Sequence, residues 1–300
     1  MSERSAHIPS HVAIRDVVAR DGLQGERPVD VEQRVKLVHL LAAAGLTDIE
    51  VAAFVSPKAV PAMAGAADVV QRVADELSGV RLWALVPNVK GAELATAAGV
   101  EHLTITISAS EHYSRKNTNM SGDEALAQLG AIRCAAPDAV CDVVISFAFG
   151  SAYDDETITP EEVAAVVERA TGEGVDRVTL ADTTGVATPR RVVDVLAAAG
   201  TDVGLHLHDT RGTALLNAWT AIDHGVRRFD TALGGLGGSP FAPTAGGNLA
   251  TEDLVALLDD TGIDTGIDLD ALVASDSFLR DLVGHDIPSR MAAALTKASQ

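Results

Sequence analysis

Short runs of apolar and β-branched residues alternate along the chain with longer amphipathic stretches. Eight runs have the length of a strand, at 11–17, 48–54, 81–87, 102–108, 142–148, 177–182, 203–209 and 228–234. Several stretches between them, such as 31–45, 160–174 and 189–200, place apolar residues at helical spacing and end in glycine, which is typical of a helix C-terminus. The pattern therefore predicts a repeating strand–helix unit.

Eight such units in one chain favour a closed (β/α)8 TIM barrel, an α/β fold. The main alternative is an open, doubly wound sheet, which usually carries a glycine-rich phosphate turn after its first strand. Here that strand leads into ARDGLQGE, which lacks the G-x-G-x-x-G spacing. We predict a single barrel domain over residues 1–300, with one or two additional C-terminal helices within 268–300.

Composition narrows the classes of partner. Hydrophobic residues make up 47% of the 300 residues, enough for a large core, while 42 acidic and 23 basic residues give a net charge of −19. This charge would repel nucleic acid, and no apolar stretch has the length of a membrane span. The two cysteines form no disulfide framework and the first residues lack a signal-peptide pattern, so we expect a cytoplasmic protein that binds neither nucleic acid nor membrane.

The seventh strand ends in LHLHDTRG, which contains His206 and His208. Side chains two positions apart on a strand point to the same face, and the C-terminal end of barrel strands is where chemistry occurs. Paired imidazoles near a carboxylate are typical metal ligands. The alternative interpretation is a pair of histidines satisfied within the core.

Two further oxygen donors are expected at the same end of the barrel. Asp21 follows the first strand and Asn248 follows the eighth, and these strands neighbour the seventh in a closed barrel. The alternative interpretation of Asp21 is a turn aspartate. The alternative interpretation of Asn248 is a helix cap, although Thr251 is the more natural cap. A set of nitrogen and oxygen donors without thiolate suits Mg²⁺ or Mn²⁺, or Co²⁺, better than structural zinc.

Seven segments in order resemble the hydroxymethylglutaryl-CoA lyase family, over roughly residues 10–295. They are VVARDGLQGE, IEVAAFVSPKAVPAMA, LVPNVKGAELATAAG, ASEHYSRKNTN, LADTTGVATP, HLHDTRGTALLNAWTAIDHGV and GGLGGSPFAPTAGGNLATEDLV. The family belongs to the barrel metalloenzymes with a DRE-like motif, which also include isopropylmalate and homocitrate synthases.

The resemblance implies cleavage of 3-hydroxy-3-methylglutaryl-CoA to acetyl-CoA and acetoacetate, a step of leucine degradation, with a divalent cation that holds the substrate's hydroxyl and carboxylate. The family's metal ligands match Asp21, His206, His208 and Asn248. Its catalytic positions match Arg20, which stabilises the enolate oxygen, and also Asp21, Glu50, Asp182, His206 and Ser239. Considered without the resemblance, Arg20 is equally explained by an ion pair with Asp21 or Glu50, and Asp182 by a helix cap.

One departure affects the predicted function. The family carries a cysteine in its glycine-rich loop, where this chain has Ser239, and a hydroxyl is a far weaker acid than a thiol with a reference pKa of about 8.5. Three functions stay open. The first is a lyase for 3-hydroxy-3-methylglutaryl-CoA or a related thioester, with Ser239 in the loop. The second is a Claisen- or aldol-type enzyme of the same superfamily acting on another 2-oxo or hydroxy acid, and the third is a catalytically impaired barrel that binds CoA esters.

The segment after the fourth strand places Arg115, Lys116 and Asn117 beside one another. We expect this loop to hold part of the CoA moiety of an acyl-CoA substrate, and the alternative is a solvated basic loop. The resemblance further implies a homodimer.

Overall fold

The computed structural model describes residues 8–151, 153–238 and 246–298. Eight parallel strands close into a barrel in which each strand pairs with the next and β8 pairs with β1, so the predicted TIM barrel is confirmed and the open sheet is wrong. The strands are β1 Ala13–Asp16, β2 Asp48–Ala53, β3 Arg81–Leu85, β4 His102–Ser108, β5 Val140–Ser146, β6 Arg177–Asp182, β7 Gly204–Leu207 and β8 Arg228–Thr231.

Helices surround the barrel, and further helices follow its last strand along the chain. They are α1 Val31–Ala43, α2 Ala66–Glu76, α3 Val89–Ala97, α4 Glu111–Thr118, α5 Gly122–Ala135, α6 Pro160–Gly172, α7 Pro189–Ala199, α8 Ala214–Asp223, α9 Thr251–Asp260, α10 Leu269–Ala274, α11 Asp276–Val283 and α12 Arg290–Ala298. Among the described residues, 268–298 contain three short helices, whereas one or two were expected. Among the described residues, no helix combines the length and the apolar character needed to cross a bilayer.

Local sequence explains where the helices begin. For example, the Thr159 hydroxyl accepts a hydrogen bond from the Glu162 amide, the Glu162 carboxylate accepts one from the Thr159 amide, and Pro160 occupies the first helical position of α6. Such a capping box satisfies two of the free amides at a helix start. The helices then pack aliphatic residues against the outside of the strands, where the apolar core lies.

The inside of the barrel is unusually polar. Barrel interiors are normally filled with layers of branched aliphatic side chains. Here the Arg15 guanidinium on β1 lies 2.9 Å from a carboxylate oxygen of Asp142 on β5, so this ion pair spans the interior. It also lies 4.7 Å from the ring centre of Trp83 on β3. Because buried charges are costly, such an interior indicates a role beyond stabilising the fold.

Candidate active site

A single turn of π-helix, Val18–Gly22, follows β1 and carries Arg20 and Asp21 to the C-terminal mouth of the barrel. The Asp21 and Gly22 amides both donate to the Val17 carbonyl, at 2.7 and 3.2 Å, which tightens the chain directly after the strand. Both charged side chains are buried. Turns of this kind are frequent at functional sites.

Two imidazoles lie beside this turn. His206 is in β7 and His208 follows the end of that strand, and their Nε2 atoms are 3.3 Å apart. One oxygen of Asp21 and one nitrogen of each ring lie within 4.8 Å of one another, and all three residues are buried. The structure therefore brings together Asp21, His206 and His208 in a group able to hold a metal ion.

Asn248 completes the group from the loop after β8. Its backbone forms an isolated bridge with His208, and its Nδ2 donates to Asp21 Oδ2 at 2.7 Å and to the Leu236 carbonyl at 2.8 Å. These two bonds fix the direction of the amide and leave the buried Oδ1 without a hydrogen-bond partner in the described part of the chain. A buried amide oxygen without a partner is costly, and a bound cation would satisfy it.

The electrostatics of Asp21 and His208 suit a cation. Burial would raise the pKa of Asp21, but attraction to the Arg20 guanidinium, and to the histidines when acid protonates them, outweighs it and holds that pKa below its usual range. Burial, together with the neighbouring His206, lowers the pKa of His208 to about 4, so this ring is neutral near pH 7. An ionised carboxylate and a neutral imidazole are the forms that bind metal.

Arg20 is held on both sides by carboxylates. Its Nε and Nη2 lie 2.5 Å from Glu50 Oε2, and its Nη1 donates to Asp21 Oδ1 at 2.6 Å. A bulge in β2 shifts the register between Glu50 and Ala52 directly beside this contact. The two interpretations of Arg20 are compatible, because the ion pairs use three of its five N–H groups and leave two for another acceptor.

Asp182 and Ser239 are two further predicted site residues. Asp182 Oδ1 accepts from the amides of Val186 and Ala187, so it caps the turn after β6, and burial raises its pKa to about 6. It does not belong to the group formed by Asp21 and the two histidines. Ser239 lies outside the described residues.

Two local predictions were wrong. The segment with Arg115, Lys116 and Asn117 is helix α4 rather than a loop, because the Ser110 hydroxyl caps it at the Tyr113 amide. Arg115 forms an ion pair with Glu111 at 2.9 Å, and Lys116 is exposed.

The second wrong prediction is that Thr251 caps the helix after Asn248. It is the first residue of α9 rather than its cap, and its hydroxyl donates instead to Asp16 at 2.6 Å. That bond ties α9, which follows Asn248, to the end of the strand that precedes Arg20 and Asp21.

Two residues that the sequence did not predict also contact the cluster. Gln24 Nε2 donates to Asp21 Oδ1 at 2.9 Å, and Asp230 Oδ2 lies 3.2 Å from His206 Nδ1. The sequence could have indicated Asp230, because it is an acidic residue within the predicted eighth strand, where alternate side chains point into the barrel. No comparable pattern indicates Gln24.

Known proteins resemble this chain over nearly its whole length. The family model described as HMGL-like matches residues 11–279. A (R)-citramalyl-CoA lyase from Chloroflexus aurantiacus is 40% identical over 93% of this chain and 93% of its own length. A hydroxymethylglutaryl-CoA lyase from Bacillus subtilis is 38% identical over 94% of this chain and 96% of its own.

A solved structure also superposes closely. An HMG-CoA lyase from Acinetobacter baumannii, in complex with coenzyme A and 3-methylmalate, has a TM-score of 0.89 and 37% identity, and the match covers 95% of each chain. With this agreement in sequence and fold over nearly the whole length, the chain belongs to the HMGL-like family.

Proposed function

We propose that this chain is a divalent-metal-dependent acyl-CoA lyase that cleaves 3-hydroxy-3-methylglutaryl-CoA, or a related 3-hydroxy-3-substituted glutaryl-CoA, to acetyl-CoA and a 3-oxo acid. The observation that carries the proposal is the convergence of Asp21, His206 and His208 within 4.8 Å, beside the unpartnered Asn248 Oδ1. The family membership supports the class of reaction, since the relatives named above are carbon–carbon lyases.

The donor set fits a divalent cation. One carboxylate, two imidazoles and one amide oxygen would hold it, with coordination positions left open for a substrate, and Mg²⁺, Mn²⁺ or Co²⁺ accept such ligands. When bound, the cation would act as a Lewis acid that favours deprotonation of the substrate's 3-hydroxyl.

Arg20 supplies the second requirement of a retro-aldol cleavage. As the C–C bond breaks, electrons move toward the thioester carbonyl, and the developing enolate oxygen needs a preorganised donor. Arg20 retains two N–H groups, and Glu50 and Asp21 fix its guanidinium plane. Because these ion pairs are already formed and buried, little reorganisation is needed when negative charge appears on the oxygen.

Proton delivery to the product enolate is assigned to the loop that contains Ser239. Gly237, two residues earlier, lies so close to the cluster that an added Cβ would be 2.2 Å from Asn248 Nδ2 and 2.9 Å from Asp21 Oδ2. A serine in this loop acts as a relay rather than as a strong acid, because its hydroxyl is much less acidic than a thiol. Ser239→Cys is expected to raise the rate, and an unchanged rate in Ser239→Ala would remove the serine from the mechanism.

A second substrate is favoured by a specific observation. The relative with 40% identity is a lyase for (R)-citramalyl-CoA, which shares the 3-hydroxy-3-methyl thioester unit but carries its carboxylate directly on the hydroxyl-bearing carbon. The same residues would serve both substrates, with pyruvate rather than acetoacetate as the second product.

One assay tests these alternatives together. The purified chain is incubated with each thioester and Mg²⁺ or Mn²⁺, with and without chelator, and acetyl-CoA, acetoacetate and pyruvate are measured. We expect chelator-sensitive release of acetyl-CoA, with the second product identifying the substrate. Absence of cleavage of these and longer 3-alkyl analogues would refute the lyase proposal, and metal binding without turnover would favour the impaired CoA-binding barrel.

The remaining expectations are also proposals. CoA recognition by Arg115, Lys116 and Asn117 is supported by their position in α4, directly after β4 at the mouth, and by the coenzyme A in the Acinetobacter structure. We propose a homodimer, which size-exclusion chromatography with light scattering tests, a cytoplasmic location and a role in leucine degradation.

A further inference from the structure

Beneath the candidate metal site, a line of charged side chains continues into the barrel. Asp230 on β8 accepts two hydrogen bonds from Arg15, at 2.8 Å from Nε and 2.9 Å from Nη2. The third arm of the guanidinium contacts Asp142, and all three residues are buried. Asp230 is therefore fixed in place by a bidentate ion pair.

The same carboxylate contacts one of the two histidines. Asp230 Oδ2 lies 3.2 Å from His206 Nδ1, while Nε2 on the other side of the ring lies 3.3 Å from His208 Nε2. A carboxylate at Nδ1 accepts a hydrogen bond from a protonated Nδ1, so the free electron pair is left on Nε2. The ring then presents Nε2 to the space shared with Asp21 and His208.

We propose that Asp230 is the positioning residue of His206, which sets its orientation and tautomer for metal binding, and that Arg15 holds Asp230 in place. This inference rests on the proposed metal site. Metal-bound histidines commonly donate their second ring nitrogen to a carboxylate, and loss of that partner typically weakens metal affinity by about 10- to 100-fold.

Asp142 provides a matched comparison. It contacts the same guanidinium and is equally buried, but its other hydrogen bonds come from the Thr179 hydroxyl rather than from a histidine. If the network served only to neutralise charge inside the barrel, Asp230 and Asp142 would be equivalent. If Asp230 orients His206, only its replacement changes the metal site.

The test is Mn²⁺ affinity by isothermal titration calorimetry for the wild-type chain, Asp230→Asn and Asp142→Asn, with thermal unfolding measured for each. We expect Asp230→Asn to weaken Mn²⁺ binding by about tenfold or more, and Asp142→Asn to change it by less than about threefold. Equal affinities for the two variants would overturn the inference while leaving the metal site intact. Absence of Mn²⁺ binding by the wild-type chain would refute the metal site itself, and the inference with it.

A second measurement does not depend on the folding of any variant. In wild-type protein labelled with ¹⁵N-histidine, the long-range ¹H–¹⁵N spectrum near pH 8, assigned with a His206→Gln variant, reports which ring nitrogen carries the proton. We expect His206 to carry its proton on Nδ1 before metal is added. A proton on Nε2 would overturn the inference whatever the calorimetry shows.

Discussion

Gly237 offers a sharp test of how the loop and the candidate metal site depend on each other. Its φ of +119° is rarely adopted by residues with a side chain. An added Cβ would lie 2.2 Å from Asn248 Nδ2, whereas ordinary contact begins near 3.4 Å. In Gly237→Ala the amide must retreat by roughly 1 Å, or the loop must lift by a similar distance.

Either movement is expected to disturb the amide that bonds Asp21. Backbone strain of about 1–3 kcal/mol lowers stability, and a displacement of about 1 Å at a reacting centre costs roughly 100-fold in rate. We therefore expect kcat/KM of metal-dependent acetyl-CoA release to fall by about 100-fold in Gly237→Ala, together with weaker Mn²⁺ binding.

The control is Gly99→Ala. Gly99 has a similar φ of +92°, but an added Cβ there meets nothing within 4 Å. This variant carries comparable backbone strain without touching the site, so thermal unfolding should shift in both variants while the activity of Gly99→Ala stays near the wild-type value. Unchanged activity and Mn²⁺ affinity in Gly237→Ala would refute the close dependence of the site on this loop.

Three further predictions concern other residues. Burial and the charge of Asp276 raise the pKa of Glu252, so the folded chain retains a proton that the unfolded chain releases. The free energy of unfolding should therefore fall as pH rises from about 4.5 to the pKa of Glu252 in the folded chain. For this single group the slope is at most about 1.4 kcal/mol per pH unit. Glu252→Gln should flatten that dependence in denaturant titrations from pH 5 to 9, and an identical slope would contradict the assignment. Arg20→Lys keeps a charge but loses the planar contacts to Glu50 and Asp21, so kcat should fall by about 100-fold or more with little change in Mn²⁺ affinity, and kcat within a few fold of wild type would exclude its role at the enolate. Lys116→Glu should raise KM for the acyl-CoA several-fold with kcat nearly unchanged, and an unchanged KM would favour a solvated basic helix.

The barrel could be predicted from the chain because its strands and helices repeat at regular spacing. The order of the strands then brings the ends of β1, β7 and β8 together, which is why Asp21, His206 and Asn248 were expected to converge. The structure brings these three residues together. Their role in metal binding stays a prediction.

Other features depend on tertiary contacts that a pattern of residues does not encode. The π-helical turn that positions Asp21 is set by three successive amides, those of Arg20, Asp21 and Gly22, which share the Val17 carbonyl, and nothing in the sequence indicates it. Thr251 has the residue type of a helix cap, but its hydroxyl bonds Asp16, which is 235 positions away. The contact of Asp230 with Arg15 likewise depends on closure of the barrel between β8 and β1.

Anomalous diffraction from crystals soaked with Mn²⁺ tests the central claim most directly. We predict one strong peak within bonding distance of Asp21, both imidazoles and Asn248 Oδ1, with no such peak in crystals of His208→Ala. Absence of a peak at this position, or a peak held by other residues, would contradict the proposed metal site.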